Sequence, residues 1–128
     1  SREGYRLIDA AKEVPNYIPD YEKVYGRHSH TLSLESKIKP YFGYRGITYA
    51  NTESHILPFL ENGEINYAIL AVNVFDESDI INEKIFFEEQ PAYTYIRDNF
   101  EIIKTLNGKD HRTNSLYFKF HIYKRKLI

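Results

Sequence analysis

Cysteine, methionine and tryptophan are all absent from this chain of 128 residues. Without cysteine, the protein has no disulfide framework, no cysteine-ligated metal site and no thiol nucleophile. It also has no run of 18 apolar residues, and its N-terminus lacks the basic and then apolar order of a signal peptide, so we predict no membrane insertion. Because the first residue is Ser1 rather than methionine, we expect a cleaved product or a part of a longer chain.

The sequence motifs that identify many enzymes are absent as well. The chain has no G-x-x-x-x-G-K-[ST], no G-x-G-x-x-G, no G-x-S-x-G and no H-E-x-x-H. These absences favour a domain that binds a partner without a cofactor and without chemistry of its own. The compartment, the oligomeric state and the identity of the ligand do not follow from the sequence.

Tyrosine is the most unusual component of the sequence, with 12 residues in a chain that is 16% aromatic. Its apolar ring and its hydroxyl group suit both half-buried strand positions and wet binding surfaces. Two interpretations therefore stay open. Either the tyrosines line the faces of a sheet, or they form a tyrosine-rich contact surface. The length and the 42% hydrophobic content fit a single soluble domain that covers residues 1–128.

Charge is unevenly distributed along the chain, although the net charge is only −1. Residues 76–101 contain eight acidic and two basic side chains, whereas residues 102–128 contain seven basic and one acidic. If the two segments are neighbours in a sheet, most of these charges pair across strands. Alternatively, the basic C-terminal strand binds single-stranded nucleic acid.

Hydrophobic periodicity predicts an α+β fold with short N-terminal helices and then a mainly antiparallel, strongly twisted sheet or partly open barrel of about six strands. Residues 1–26 have helical spacing, which Pro15 interrupts and Gly26 ends. Residues 31–38 alternate as a half-buried strand that ends or turns at Pro40.

The middle of the chain contains the segment that we expect at the centre of the sheet. Ile65 to Phe75 has apolar residues at both odd-numbered and even-numbered positions, which is typical of a strand covered on both faces. Residues 51–63 form a short helix or a structured loop, and residues 84–87 and 92–106 are expected to be strands, with a break at Pro91. The predicted core positions are Ile69, Leu70, Val72 and Phe118.

The clearest strand is Ser115 to Arg125, which should pair with the preceding strand through a polar connection that contains Asn107-Gly108. Its even-numbered positions are apolar and should face inward. Its odd-numbered positions interleave aromatic and basic side chains, and we predict that they bind a protein or a small ligand. These candidate binding residues are Tyr117, Lys119, His121, Tyr123 and Arg125.

The hairpin connection adds three candidates, Lys109, His111 and Arg112, beside Asp110. A metal-free ribonuclease could use the histidine as general base and the arginine against the phosphate charge. Four consecutive residues of one loop do not converge on one substrate, so catalysis would need partners from another element. Binding without catalysis is therefore the preferred interpretation.

The segment His28-Ser29-His30 followed by Glu35 has the spacing H-x-H-x4-E, which resembles the first metal motif of cupins. The resemblance covers eight residues and implies a divalent metal held by His28, His30 and Glu35 in a small metal-dependent enzyme. On a strand, histidines at i and i+2 would point to the same side. No second cupin motif follows in the sequence, so ordinary solvated imidazoles are the preferred interpretation and no metal is predicted.

Overall fold

A computed structural model describes residues 10–26, 29–33, 36–41, 53–71, 90–110 and 115–127. For residues 30–31, 53–55, 90, 107–110 and 115–118 it describes the backbone alone. Over these ranges the chain is an α+β fold built on an open mixed sheet of five strands. The sheet is not closed, so the barrel alternative is wrong.

The strands and helices are short except at the C-terminus. The strands are β1 (Lys23–Tyr25), β2 (Lys39–Tyr41), β3 (Tyr67–Ala71), β4 (Phe100–Asp110) and β5 (Ser115–Arg125). The α-helices are α1 (Ser29–Leu32), α2 (Glu53–Glu61) and α3 (Gln90–Asn99), and Val14–Asn16 is a turn of 3-10 helix. No helix of the described ranges is both long enough and apolar enough to cross a membrane.

The strand order in the sheet is β2-β1-β3-β5-β4. β1 is parallel to both of its neighbours, while β5 is antiparallel to β3 and to β4. The predicted antiparallel pairing therefore holds for the C-terminal half of the sheet and is wrong for the N-terminal half. Since β1 and β2 have three residues each, their patterns are too short to show a period in the sequence.

β3 is the third of the five strands, which confirms that the segment beginning at Ile65 supplies the centre of the sheet. Ile69 and Leu70 are both buried, as predicted, and they belong to different core clusters. Because successive residues of a strand point to opposite faces, the two clusters lie on opposite sides of the sheet. Val72 and the side chain of Phe118 lie outside the described residues.

Each face of the sheet is covered by different segments. The first face is covered by the N-terminal segment through Val14 and Ile18 and by α1 through Leu32. The second face is covered by α2 and α3, whose buried side chains are Ile56, Leu60, Ala92, Tyr93 and Ile96. The sheet is thus a central layer between two sets of covering segments.

Several local predictions are wrong at the N-terminal end. The predicted second helix before Gly26 is replaced by β1, and Tyr21 has a left-handed backbone with φ of 68°, which no helix of L-residues continues through. The predicted strand over residues 31–38 begins instead within α1. Pro40 lies inside β2 rather than at the end of a strand, and an edge strand tolerates proline.

The later elements follow the sequence more closely. β5 has the predicted bounds and pairs with β4 as a hairpin. The predicted nine-residue connection from Leu106 to Asn114 is wrong, because β4 continues to Asp110 and Asn107 and Gly108 pair with β5. The predicted strand over residues 92–106 is wrong up to Asn99, where α3 ends, and correct from Phe100, where β4 begins. Pro91 does not break the chain but lies in the first turn of α3, where its missing N–H costs nothing. Residues 51–63 contain α2, which tolerates Pro58, and residues 84–87 lie outside the described residues.

Gly26 lies where β1 ends, against the backbone of the central strand. Its φ is +149°, and a Cβ at this position would lie 2.1 Å from the carbonyl oxygen of Ile69. Its N–H donates to the carbonyl of Tyr41 at the end of β2. A glycine is therefore required for β1 to lie against β3 at this point.

We predict that Gly26→Ala lowers the free energy of unfolding by about 3 kcal/mol or more, since both the backbone and the contact with Ile69 must shift. Gly63→Ala is the matched control, because Gly63 also has a positive φ, of 87°, but has open space around it. The control should lose about 1 kcal/mol. Urea unfolding of both variants measures the difference, and equal losses would contradict the close approach.

Candidate functional site

The parallel strands β1, β2 and β3 all end at one edge of the sheet, which we call the carboxyl edge. β1 ends beside Gly26, β2 ends at Tyr41 and β3 ends at Ala71. Because β5 is antiparallel to β3, its residue Phe120 pairs with Ala71, and Lys119 precedes it at the same edge.

The helix after β1 and the next described helix after β3 lie on opposite faces of the sheet. α1 follows β1 and contributes Leu32 to the first face, whereas the next described helix after β3, α3, contributes Ile96 to the second face. Adjacent parallel strands whose connections leave on opposite faces form a topological switch point. Ligands of open α/β sheets bind in the crevice outside the carboxyl ends of such strands.

The start of α1 is tied to the end of β1 at this point. Ser29 is fully buried, and its hydroxyl donates to the carbonyl of Gly26 at 2.7 Å. The backbone N–H of Ser29 donates to the same carbonyl at 3.1 Å. These bonds fix the turn by which the chain leaves the carboxyl edge.

His121 supplies a titratable side chain next to this edge. It pairs with Leu70 of β3 on one side and with Thr105 of β4 on the other. Its Nδ1 lies 3.0 Å from the Thr105 hydroxyl oxygen, and its ring meets Tyr123 edge to face at 6.0 Å between centroids. Burial and then the charge of Lys119 lower the pKa of His121, so the ring is neutral at pH 7.

Arg125, predicted to bind a ligand, is used by the fold instead. Its guanidinium donates to the carbonyls of Leu60 and Ile65, to the Asn66 side chain at 2.7 Å and to the Tyr95 hydroxyl at 2.9 Å. These contacts join the end of α2 to the start of β3 and to α3. A guanidinium engaged in this way is a structural clamp rather than a free ligand contact.

Tyr123 was expected on the solvent face and is buried, so that expectation is wrong. The alternation along β5 is correct, but α2 and α3 cover the face that the odd-numbered residues share, so Tyr123 lies in the second core cluster. Burial also raises the pKa of its hydroxyl. Lys119 lies on the same face of β5, four residues before Tyr123, and its side chain is exposed.

Four of the eight tyrosines whose side chains the structure describes are buried. Tyr25, Tyr67 and Tyr93 are buried like Tyr123, while Tyr21 is 63% exposed. Of the buried tyrosines, Tyr25, Tyr67 and Tyr123 lie on strands of the sheet, while Tyr93 lies on α3. The side chain of Tyr117 lies outside the described residues, so its predicted role as a contact is untested.

The remaining predicted site residues are only partly described. For Lys109 the backbone alone is described, and His111 and Arg112 lie outside the described residues, as do His28 and Glu35. The two histidines were expected on one side of a strand. This expectation is wrong for His30, which lies in the helix α1. Among the side chains that the structure describes, no group of three or more histidine, aspartate or glutamate residues is placed to hold a metal.

Sequence reasoning missed the carboxyl edge and found only some of its residues. Lys119 and His121 were predicted as binding residues, but Thr105, Gly26 and Ser29 were not. The signal was present in Gly26, which follows a short β-rich segment and precedes α1, but three residues of strand are too few to reveal parallel pairing.

Comparison of the sequence with known protein families, with curated proteins and with solved structures gives no match. The assignment of function therefore depends on the geometry of the site alone.

We predict that Arg125→Lys lowers the free energy of unfolding by about 2 to 3 kcal/mol, because a lysine cannot reproduce the fork of four hydrogen bonds and leaves carbonyl groups unpaired. Lys126→Gln is the control, since Lys126 is exposed and next in sequence. It should change stability by less than about 0.5 kcal/mol in the same urea titration. A lysine variant as stable as the control would show that the clamp contributes little.

His121 should make the protein less stable in mild acid. Its pKa in the folded protein lies below the ordinary value of 6.5, so the unfolded chain binds more protons, and stability falls as the pH drops through this window. We expect His121→Gln to lose less stability than the parent between pH 7.5 and 5.5, as measured by urea unfolding at each pH. Parallel curves for both proteins would contradict this assignment.

Proposed function

We propose that this chain is a ligand-binding domain without catalytic chemistry of its own, and that its ligand binds at the carboxyl edge, beside the ends of β1 and β3. The observation that carries the proposal is that α1, which follows β1, and α3, the next described helix after β3, cover opposite faces of the sheet, an arrangement typical of a switch point. In open α/β sheets such an arrangement leaves a crevice outside the carboxyl ends of the strands.

The polar groups of the described residues support this location. Thr105, Lys119 and His121 bring a hydroxyl, an ammonium and an imidazole to the strands that continue the edge beyond β3. With strands about 4.8 Å apart, β1 and β5 lie about 10 Å from each other across β3, a span that suits a small molecule. The site is thus small and partly polar, as ligand sites are.

The two broader alternatives receive less support. A continuous outward stripe on β5 for single-stranded nucleic acid would need Tyr123 and Arg125, which are buried and clamped, respectively. A flat tyrosine-rich protein contact would need exposed rings, and the described tyrosine with a largely exposed ring, Tyr21, lies before β1 at the other end of that strand. A small ligand at the carboxyl edge needs neither.

We expect a library of small polar fragments, screened by two-dimensional amide NMR, to perturb the amides of Gly26, Ser29, Ala71 and His121. The reason is that a ligand in the crevice contacts the ends of the strands that contain or precede these residues. The opposite edge, represented by Glu22, Asn66 and Lys126, serves as the internal control.

Perturbations that concentrate on the opposite edge, or around Tyr21, would contradict the proposed site. A protein that binds no fragment at either edge at millimolar concentration would contradict the proposed function, since a preformed ligand crevice binds some fragments weakly.

A further inference from the structure

We propose that the ligand of the carboxyl edge carries a small oxyanion, either a phosphate or a carboxylate, which binds between the ammonium group of Lys119 and the imidazole of His121. This inference depends on the proposed function and specifies its ligand. Two groups on one strand and one face, at positions i and i+2, present donors to the same ligand.

Unlike Lys23 and Lys104, Lys119 has no acidic partner among the described residues. Lys23 bonds to Glu64 at 3.0 Å, and Lys104 lies 3.8 Å from Glu13. In the part of the chain that the structure describes, no carboxylate lies within ion-pair distance of Lys119, although its side chain is exposed and its charge acts on His121. An ammonium without a partner at a crevice attracts an anion.

Three of the described acidic side chains lie at the opposite ends of the strands. Glu64 lies just before β3, and Asp98 and Glu101 lie next to the start of β4, which is parallel to β3. These carboxylates are thus near the amino ends of their strands, where Glu101 opposes Lys124 in the register and Arg97 bonds to Asp98. An anion at the carboxyl edge therefore does not meet them.

His121 is oriented by its neighbours so that one ring nitrogen is free. Nδ1 is held by the Thr105 hydroxyl, and the ring is braced by Tyr123. Nε2 makes no hydrogen bond with any described residue. When Nδ1 accepts from Thr105, Nε2 carries the proton and donates to an oxyanion without the ring having to charge.

The acidic sequence that follows β3 favours a different ligand, a cation. Residues 76–89 contain six acidic side chains and one basic side chain, and they lie outside the described residues. If those carboxylates dominated the edge, the preferred small ligand would be a divalent cation rather than an oxyanion. The experiment therefore uses probes of both kinds.

The test is an amide NMR titration of the intact chain with sodium phosphate, sodium acetate and magnesium chloride, each at constant ionic strength. We expect saturable shifts at Lys119, His121 and Ala71 with phosphate or acetate, and the stronger of the two identifies the oxyanion. Lys119→Gln should weaken that binding at least tenfold, whereas Lys126→Gln, an exposed lysine at the opposite end of β5, should not change it.

The outcomes separate this inference from the proposed function. Saturable binding of magnesium at the edge with no effect of either anion would overturn the oxyanion and leave the ligand site in place. Neutral fragments that bind the edge equally well in the parent and in Lys119→Gln, with no anion effect, would do the same. Anion binding that both lysine variants weaken equally would show diffuse attraction to positive charge and would also overturn the inference.

Discussion

The guanidinium of Arg125 holds together the segments that cover the second face of the sheet. It bonds to the last turn of α2 through Leu60, to the chain entering β3 through Ile65 and Asn66, and to α3 through Tyr95. Its Cζ atom also lies 5.0 Å from the centroid of the Phe100 ring at the start of β4. One side chain at the end of β5 thereby fixes the positions of two helices and two strands.

This clamp explains why the positive charge is tolerated in a partly buried place without a carboxylate. The carbonyls at the end of a helix carry partial negative charge, so the end of α2 is a favourable neighbour for a cation. The aromatic rings of Tyr95 and Phe100 offer their negative faces to the same group. Several weak neutral partners together take the place of one ion pair.

The parts of the fold that the sequence predicts well are those in which burial sets a long pattern. β3 is apolar on both parities because it is covered on both faces, and β5 alternates over eleven residues. The three-residue strands β1 and β2 leave no such pattern, and their parallel pairing depends on Gly26 and on contacts distant in sequence. Short-range periodicity carries no information about those contacts.

The candidate site was predicted in part for the same reason. Lys119 and His121 were found because they share one face of a readable strand, but the sequence could not indicate that α2 and α3 would cover that face at Tyr123 and Arg125. Whether a strand position is solvent-exposed depends on where the helices end along it, which is a tertiary property. On β5, the boundary between the part of this face that the helices cover and the part that is exposed to solvent lies between Tyr123 and Lys119.

That boundary divides the polar groups of the sheet into two functional sets. Near the amino ends of β1, β3 and β4, several described polar side chains bond to one another, as in the Lys23–Glu64 pair and the Arg125 clamp, and these stabilise the fold. At the carboxyl edge, Lys119 and Nε2 of His121 have no partner among the described residues, and Gly26 brings the strands together there. Polar groups without a partner beside the ends of parallel strands are the features that a ligand site requires, and for this reason we propose the binding site at the carboxyl edge rather than on the faces of the sheet.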